Sequence, residues 1–367
     1  MILAGGEGLL TEAYRQAGYK VWVKSPGSGF SEFGRTMLEW SRWKKLRVAI
    51  FELVPYALSV ALILRKEKVD ILHVNDVRGA LVVGLSSWLL GIPLVIHIRG
   101  SYYPTGMPGK FSERVCSRFI TVCDHLREKL PERGRLKAVT VYNGIKSVPD
   151  RGMSFPWLEE FRAAGGVVIS CFASLIPYKG HTFLIAIGKI LKERGLEEKV
   201  RFLCVGDFVE EYQEYQQEVW AELERSGVTN ITFCGWQGDP FSFYLTSDVT
   251  VLVSVNAGTV PLDGRETPVV GGEGFPRTHL EAMQYGLPVV SFGNAGVPEQ
   301  VADGQTGFVL PCGDIEGVAR RLEQLVLSPA LRKTMGDAGR ERVVKLFSTR
   351  AYIDGVVDVY RDVTRKR

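Results

Sequence analysis

The sequence predicts an α/β chain built as two domains, each a parallel sheet wound with helices on both sides. Three observations lead there. At 367 residues the chain is longer than one ordinary core accommodates. Short apolar runs alternate with helical runs, the grain of strand, loop and helix that makes parallel sheets. That grain lapses around Lys146 to Gly166, where Pro149, Gly152, Pro156 and a Gly165–Gly166 pair cluster, and then restarts. Two Rossmann-like, doubly wound domains facing across a cleft are therefore expected, one over residues 1–150 and one over 166–345. The remaining stretch, 346–367, reads as a helix packing back on the first domain.

At the start, Met1 to Ala4 runs straight into Gly5 and Gly6, so the first strand is either abbreviated or cut short by the beginning of the sequence. Tyr19 to Val23, Val69 to Val74, Pro93 to Ile98, Phe119 to Val122 and Ala138 to Tyr142 read as the buried strands of the first half. In the second half the strands are Gly166 to Phe172, Val200 to Val205, Ile231 to Phe233, Val249 to Val253 and Pro288 to Ser291. Helical runs fall between them, for example Thr182 to Arg194 and Glu210 to Ser226. Val255 to Gly272 contains Gly258, Pro261, Asp263–Gly264, Pro268 and Gly271–Gly272, a composition that reads as a long loop beside the cleft.

With 46% hydrophobic and 23% charged residues, the chain is neither disordered nor collagen-like. Its six cysteines are scattered without C-x-x-C spacing, which suits buried thiols in a reducing cytoplasm and not a disulfide framework or a structural zinc site. Val48 to Leu64 is interrupted by Glu52 and Pro55, and Ala80 to Ile98 is split by Gly91-Ile92-Pro93, so neither reads as a membrane span. No basic segment followed by an apolar one marks a signal peptide at the start.

Charge is unevenly placed. Residues 1–150 carry 22 Lys and Arg against 13 Asp and Glu, while the rest carries 23 against 28. No nucleic-acid-binding motif accompanies the basic half, so nucleic acid is not the expected partner. An anionic membrane surface or a phosphate-bearing acceptor fits better, so a cytoplasmic protein is expected, either free or peripheral at the inner face of the membrane. Arg35 to Arg47 sets Trp40 and Trp43 among five basic residues, which suits either a bilayer surface or a solvated helix face.

The densest chemistry lies in Glu273-Gly274-Phe275-Pro276-Arg277-Thr278-His279-Leu280-Glu281. Pro276 suits the first helical position, after which the backbone N–H groups of Arg277 and Thr278 offer an anion site fit for a diphosphate. Glu273 and Glu281 are carboxylates suited to paired sugar or ribose hydroxyls, although in isolation two such glutamates would only be a solvated helix face. They are not isolated. Upstream stand Ser174 to Lys179-Gly180, Val205-Gly206-Asp207, Phe233-Cys234-Gly235-Trp236 and Asp248 to Ser254. Downstream stands the run Gly296-Val297-Pro298-Glu299-Gln300-Val301-Ala302-Asp303 to Gly307 and on to Pro311, then Gly313-Asp314. In this order and spacing, from Gly166 to Tyr360, the chain resembles the retaining glycosyltransferases of family 4, also called group 1, which have the GT-B fold. The first half resembles them more loosely, through Gly5-Gly6-Glu7, Val69-Asp70-Ile71-Leu72-His73 and Asn143-Gly144.

The resemblance implies transfer of a sugar from a UDP- or GDP-linked donor to a glycan or lipid-linked acceptor with retained anomeric configuration, in cell-surface polysaccharide biosynthesis. It implies that Glu273 contacts the transferred sugar, Glu281 holds the nucleotide ribose and Lys179 neutralises the diphosphate. Gly5, Gly6, Ser174, Gly206, Gly235, Trp236, Gly274, Phe275, Pro276, Arg277 and Thr278 complete the implied donor site. Departures are local. Ser174 stands where the family commonly has arginine, leaving Arg277 or Arg99 to supply the missing charge. Arg99-Gly100 takes the place of a His-Gly pair, while His97 lies two residues earlier, so the histidine's role near the sugar falls on His97, on Arg99 or on neither. No cofactor is implied, and without an Asp-x-Asp or His-rich cluster no metal is expected. The rival readings are a sugar-nucleotide epimerase or a phosphorylase of the same fold and a non-catalytic nucleotide- or glycan-binding relative.

Overall fold

A computed structural model describes residues 1–27, 41–100, 103, 106–150, 152–256, 258–262, 265–269 and 272–365. Trp40 and the preceding basic stretch from Arg35 lie outside the described residues. Contacts divide the chain into two compact units. One comprises Met1–His97, Pro104–Phe119 and Tyr360–Arg367, and the other Ile98–Tyr103 and Ile120–Val359.

In the first unit the opening strand exists but is short. β1 (Ile2–Ala4) pairs in parallel with β2 (Val21–Val23), and the helix Leu9–Gln16 connects them. A four-stranded sheet runs in the order β3 (Leu72–Val74), β4 (Leu94–Ile98), β5 (Arg118–Thr121) and β6 (Ala138–Thr140), with β3 parallel to β4 and with β6 among the residues counted in the second unit. The helix Val77–Leu90 is fixed at both ends. Asp76 accepts a hydrogen bond from the Gly79 N–H at 2.8 Å, and Gly91 ends the helix in the left-handed conformation that favours glycine. The apolar run around it is thus a helix followed by a buried strand. Among the described residues no helix is long and apolar enough to cross a membrane. The last helix, Thr349–Arg365, ends in this unit, where Tyr360 Oη lies 2.7 Å from His73 Nδ1 and Asp362 pairs with Arg118 at 2.7 Å.

The second unit holds a six-stranded parallel sheet, β14-β13-β10-β7-β8-β9. Its strands are β7 (Val167–Phe172), β8 (Val200–Val205), β9 (Ile231–Gly235), β10 (Val249–Leu252), β13 (Val289–Phe292) and β14 (Gly307–Leu310). Every residue of β7 is buried, as expected of a continuous apolar strand covered on both faces. Helices His181–Glu193 and Ile315–Leu327 contribute Phe183, Leu184, Ile187, Val318 and Leu322 to the core over the sheet. From β7 the chain winds outward through β8 and β9, then returns to β10 on the other side of β7 and continues to β13 and β14. Strand order therefore reverses between β7 and β10, and the crevice beyond their carboxyl ends is where such sheets bind ligands.

Three expectations need correction. Val255 to Gly272 is not an open loop, because Gly258–Leu262 (β11) and Arg265–Val269 (β12) form an antiparallel hairpin. Val260 and Val269 anchor it, 0% and 4% exposed, in the core of the second unit. The stretch from Lys146 to Gly166 is not a bare linker, since Pro156–Ala163 is helical and buries Leu158. Pro276 is the cap residue and not the first residue of its helix, which begins at Arg277.

Candidate active site

The residues singled out in the second half gather at the point where strand order reverses. After β7, the Leu175 N–H donates to the Asp207 carbonyl at 2.8 Å, and a single 3-10 turn, Pro177–Lys179, carries Lys179. Gly180 follows in the left-handed region with φ 72°, and a Cβ there would collide with the Val253 carbonyl. That close approach joins the Lys179 turn to the end of β10, as does the Val255 N–H donating to the Tyr178 carbonyl at 2.8 Å. His181 is buried just behind the turn, and burial lowers its pKa to about 3. It is neutral, so Lys179 is the cationic side chain of this turn.

Lys179 Nζ donates to Glu273 Oε1, and the two side chains are only 16% and 12% exposed. The Ser254 hydroxyl donates to the same carboxylate oxygen at 3.2 Å. The backbone of Glu273 is held separately. Its N–H donates to Asn256 Oδ1 at 2.6 Å, and Asn256 Nδ2 donates to its carbonyl at 3.0 Å. Asn294 Nδ2 donates to the Ser254 carbonyl, tying the end of β13 to the end of β10. Glu273 is thus fixed at backbone and side chain by groups from the ends of two neighbouring strands, β7 and β10, the latter braced from the end of β13.

The following residues turn the chain into the helix Arg277–Gln284. Gly274 is required because a Cβ would collide with the Arg99 carbonyl, and its own carbonyl accepts from the Gly296 N–H at 2.9 Å. Phe275 is buried and stacks on Tyr142, ring centroids 5.4 Å apart. Gln300, fully buried, donates from Nε2 to the Pro276 carbonyl at 2.8 Å and holds His279 Nδ1 at 3.1 Å through its Oε1. Burial keeps His279 neutral, its pKa lowered to about 4. The helix start is therefore rigid, with its first N–H groups available to an anion.

Glu281 sits about one turn into that helix. Tyr244 Oη donates to its Oε2 at 3.0 Å, and the exposed Arg277 guanidinium lies 3.6 Å from its Oε1. Tyr244 is clamped between Phe172 and Tyr285, with ring centroids at 3.6 and 5.4 Å. Burial pushes the Glu281 carboxyl above its ordinary value, against the hydrogen bond from Tyr244 and the charge of Arg277. A carboxylate kept in a desolvated place with one good donor is poised to accept further hydroxyl donors.

The other expected residues are placed as follows. Gly206 packs so closely on the Ala173 carbonyl that only glycine fits, and its N–H donates to the Gly235 carbonyl at 3.0 Å. Gly235 ends β9 at φ 66°, and Trp236 beyond it is 70% exposed. Ser174 lies between the two backbone bonds that extend the β7–β8 ladder past the strand ends. Arg99 is exposed, its guanidinium 3.3 Å from Tyr352 Oη. In the first unit, His97 is fully buried in β4 with its ring 5.4 Å from that of His73, whereas Gly5 and Gly6 are exposed between β1 and the first helix. Tyr244, Asn256 and Gln300 carry the site and were not singled out from sequence. Among the described residues no cluster of His, Cys, Asp or Glu could hold a metal ion.

Two family models match the chain, Glycosyltransferase Family 4 over residues 9–147 and Glycosyl transferases group 1 over residues 160–342. The second match spans the entire cluster from Ser174 to Gln300. The chain belongs to the group 1 glycosyltransferases. Among curated glycosyltransferases it is 22% identical over 342 residues to the capsular polysaccharide biosynthesis glycosyltransferase CapM of Staphylococcus aureus, covering 86% of this chain and 83% of CapM. It is 26% identical over 211 residues to the lipopolysaccharide core biosynthesis glycosyltransferase LpsE of Rhizobium meliloti, covering 55% of this chain and 56% of LpsE. Among solved glycosyltransferases, the enzyme from Rickettsia africae superposes with a TM-score of 0.79 at 17% identity, covering 100% of this chain and 90% of that one. HepE of Anabaena, solved in complex with UDP, superposes with a TM-score of 0.76 at 18% identity, covering 98% and 91%. The fold is that of the GT-B glycosyltransferases.

Proposed function

We propose that this glycosyltransferase moves a sugar from a nucleotide-sugar donor, UDP- or GDP-linked, to a glycan or lipid-linked acceptor with retention of anomeric configuration. The observation that carries this reading is the convergence of Lys179 and Ser254 on the Glu273 carboxylate at the point of strand reversal, with Glu281 one helix away. Glu281 accepts the ribose hydroxyls of the donor. Lys179 has three N–H donors, of which Glu273 engages one, so it can hold the sugar-binding carboxylate and a diphosphate together. The helix start at Arg277 adds backbone N–H groups for the same diphosphate, and Arg277 supplies the charge that Ser174 lacks. As the bond to the sugar breaks, negative charge grows on the leaving phosphate, and Lys179 stabilises it there. The leaving phosphate helps to deprotonate the acceptor hydroxyl on the same face, so no covalent nucleophile is assigned to the protein. On this reading the positive charge comes from the chain itself and the reaction runs without a metal or a cofactor.

UDP-containing complexes of HepE, including one with UDP-glucose, favour a uridine donor. The names of CapM and LpsE favour a role in cell-surface polysaccharide assembly. A panel of UDP- and GDP-sugars scored for slow donor hydrolysis, with the anomer of the released or transferred sugar read by proton NMR, tests the proposal. Hydrolysis of one donor with retention supports it. Nucleotide binding without turnover of any donor would instead indicate a non-catalytic binding protein.

A further inference from the structure

The helical run at the start of the first unit presents an apolar face to solvent. It passes through Arg42–Val48, a π-helical turn Ala49–Leu53 and Val54–Lys66. Its inner side is buried through Tyr56, Ala57, Val60 and Leu64, as a core-facing helix should be. Its outer side carries Ile50, Phe51, Val54, Leu58 and Leu62, which recur at the spacing of one helix face and are 49%, 72%, 41%, 53% and 71% exposed. At 1.5 Å per residue the stripe is roughly 18 Å long. Upstream of it Trp43 is 80% exposed.

Charge brackets the stripe. Residues 42–66 hold six Lys and Arg and a single acid, Glu52. Lys44 and Arg47 are exposed before the apolar stretch, and Arg65 and Lys66 are exposed after it. Glu52 is half-buried beside Gly27 and is not part of the outer face. We propose that this face docks on an anionic lipid bilayer. The apolar side chains enter the boundary between headgroups and acyl chains, and the basic ends lie against headgroup phosphates. A second copy of the chain is a poorer occupant, because pairing two such faces would bring basic ends against basic ends in either orientation.

A cavity of about 280 Å³ opens at the edge of the stripe, lined by Lys24, Ser25, Glu52, Pro55 and Tyr56 and sharing Phe51 with it. A cavity with Lys24 in its wall, beside a membrane-facing apolar surface, suits the phosphate-bearing headgroup of a bilayer-anchored molecule. In that respect the inference builds on the lipid-linked acceptor proposed above, although docking is read without any sugar transfer.

The test is co-sedimentation of the full chain with phosphatidylcholine vesicles and with phosphatidylcholine–phosphatidylglycerol vesicles. The wild-type chain should bind the anionic vesicles at least about tenfold more tightly, and rising salt should weaken that binding. Leu58→Glu/Leu62→Glu should lose at least about tenfold of it, as should the milder Leu58→Ser/Leu62→Ser, with unchanged unfolding temperature and donor hydrolysis. Absence of wild-type binding, or equal binding by these variants, would overturn the proposal. A concentration-dependent dimer that the variants dissolve, without vesicle binding, would overturn it in favour of a second copy.

Discussion

Asn256 grips Glu273 by both polar groups of its peptide backbone, accepting from its N–H at 2.6 Å and donating to its carbonyl at 3.0 Å. A single side-chain amide thereby sets the backbone from which the carboxylate reaches Lys179 and Ser254. Asn256→Ala leaves both backbone groups without this partner, which costs about 1–3 kcal/mol of stability for part-buried groups. Turnover should fall about tenfold or more while nucleotide affinity stays near wild type, since in the proposed mechanism Glu281 holds the nucleotide. Donor-hydrolysis kinetics beside nucleotide titration check the split. A matching loss of nucleotide affinity would mean that Asn256 supports the whole crevice and not Glu273 in particular.

Glu281 predicts a pH signature in stability. Burial raises its carboxyl pKa in the folded state, so the folded chain binds that proton more readily than the unfolded one. The associated stability is fully present below the unfolded value of about 4.3 and is lost as pH rises through the raised folded value. At neutral pH the buried charge is therefore a destabilising feature. Glu281→Gln, which keeps an acceptor for Tyr244, should unfold at a higher temperature than wild type at neutral pH. The difference should vanish at pH below about 4, where the wild-type carboxyl is also neutral. Thermal unfolding of both proteins across that range decides it, and a variant less stable at neutral pH would contradict the assignment.

The hairpin predicts a core effect far from any ligand. Val260 is fully buried between elements of the second unit's core, so Val260→Ala removes about two buried carbon groups and costs about 2 kcal/mol. Chemical denaturation should show that loss with an unchanged m-value. A neutral result would mean that the hairpin detaches freely from the core.

Activity should survive EDTA. The chain brings Lys179 and Arg277 to the proposed diphosphate site, so positive charge does not depend on a divalent ion. Loss of donor hydrolysis in EDTA, restored by added Mn²⁺, would remove that claim.

Much of the second unit was legible because a fully buried parallel strand is a continuous apolar run, and Val167–Phe172 and Val200–Val205 are such runs. The carboxylates of the proposed site stood out because Glu273 and Glu281 lie in a motif with glycine and proline at fixed places. The hairpin was not, since Pro261 and Pro268 argue against strands in most sheets. In a two-stranded ribbon both strands are edges and tolerate proline, and Asp263–Gly264 between them is a common hairpin turn sequence. Asn256 and Tyr244 were missed for a different reason. Their partners, Glu273 and Glu281, lie 17 and 37 residues away, and no local periodicity encodes such a contact. Gln300 stands inside the downstream motif, but its role was not legible, its hold on Pro276 being a contact across 24 residues.

The most direct test of the account is paired measurement of nucleotide binding and turnover in Glu273→Gln and Glu281→Gln. The nucleotide of whichever donor is hydrolysed is titrated by calorimetry, and donor hydrolysis is followed in parallel. Glu273→Gln should bind nucleotide nearly as wild type does while turnover falls by about tenfold or more, because its carboxylate acts on the sugar and through Lys179. Glu281→Gln should weaken nucleotide binding roughly tenfold or more, because charged hydrogen bonds to the ribose are lost. Equal weakening of nucleotide binding by both substitutions, or full turnover in Glu273→Gln, would contradict the division of labour on which the proposed mechanism stands.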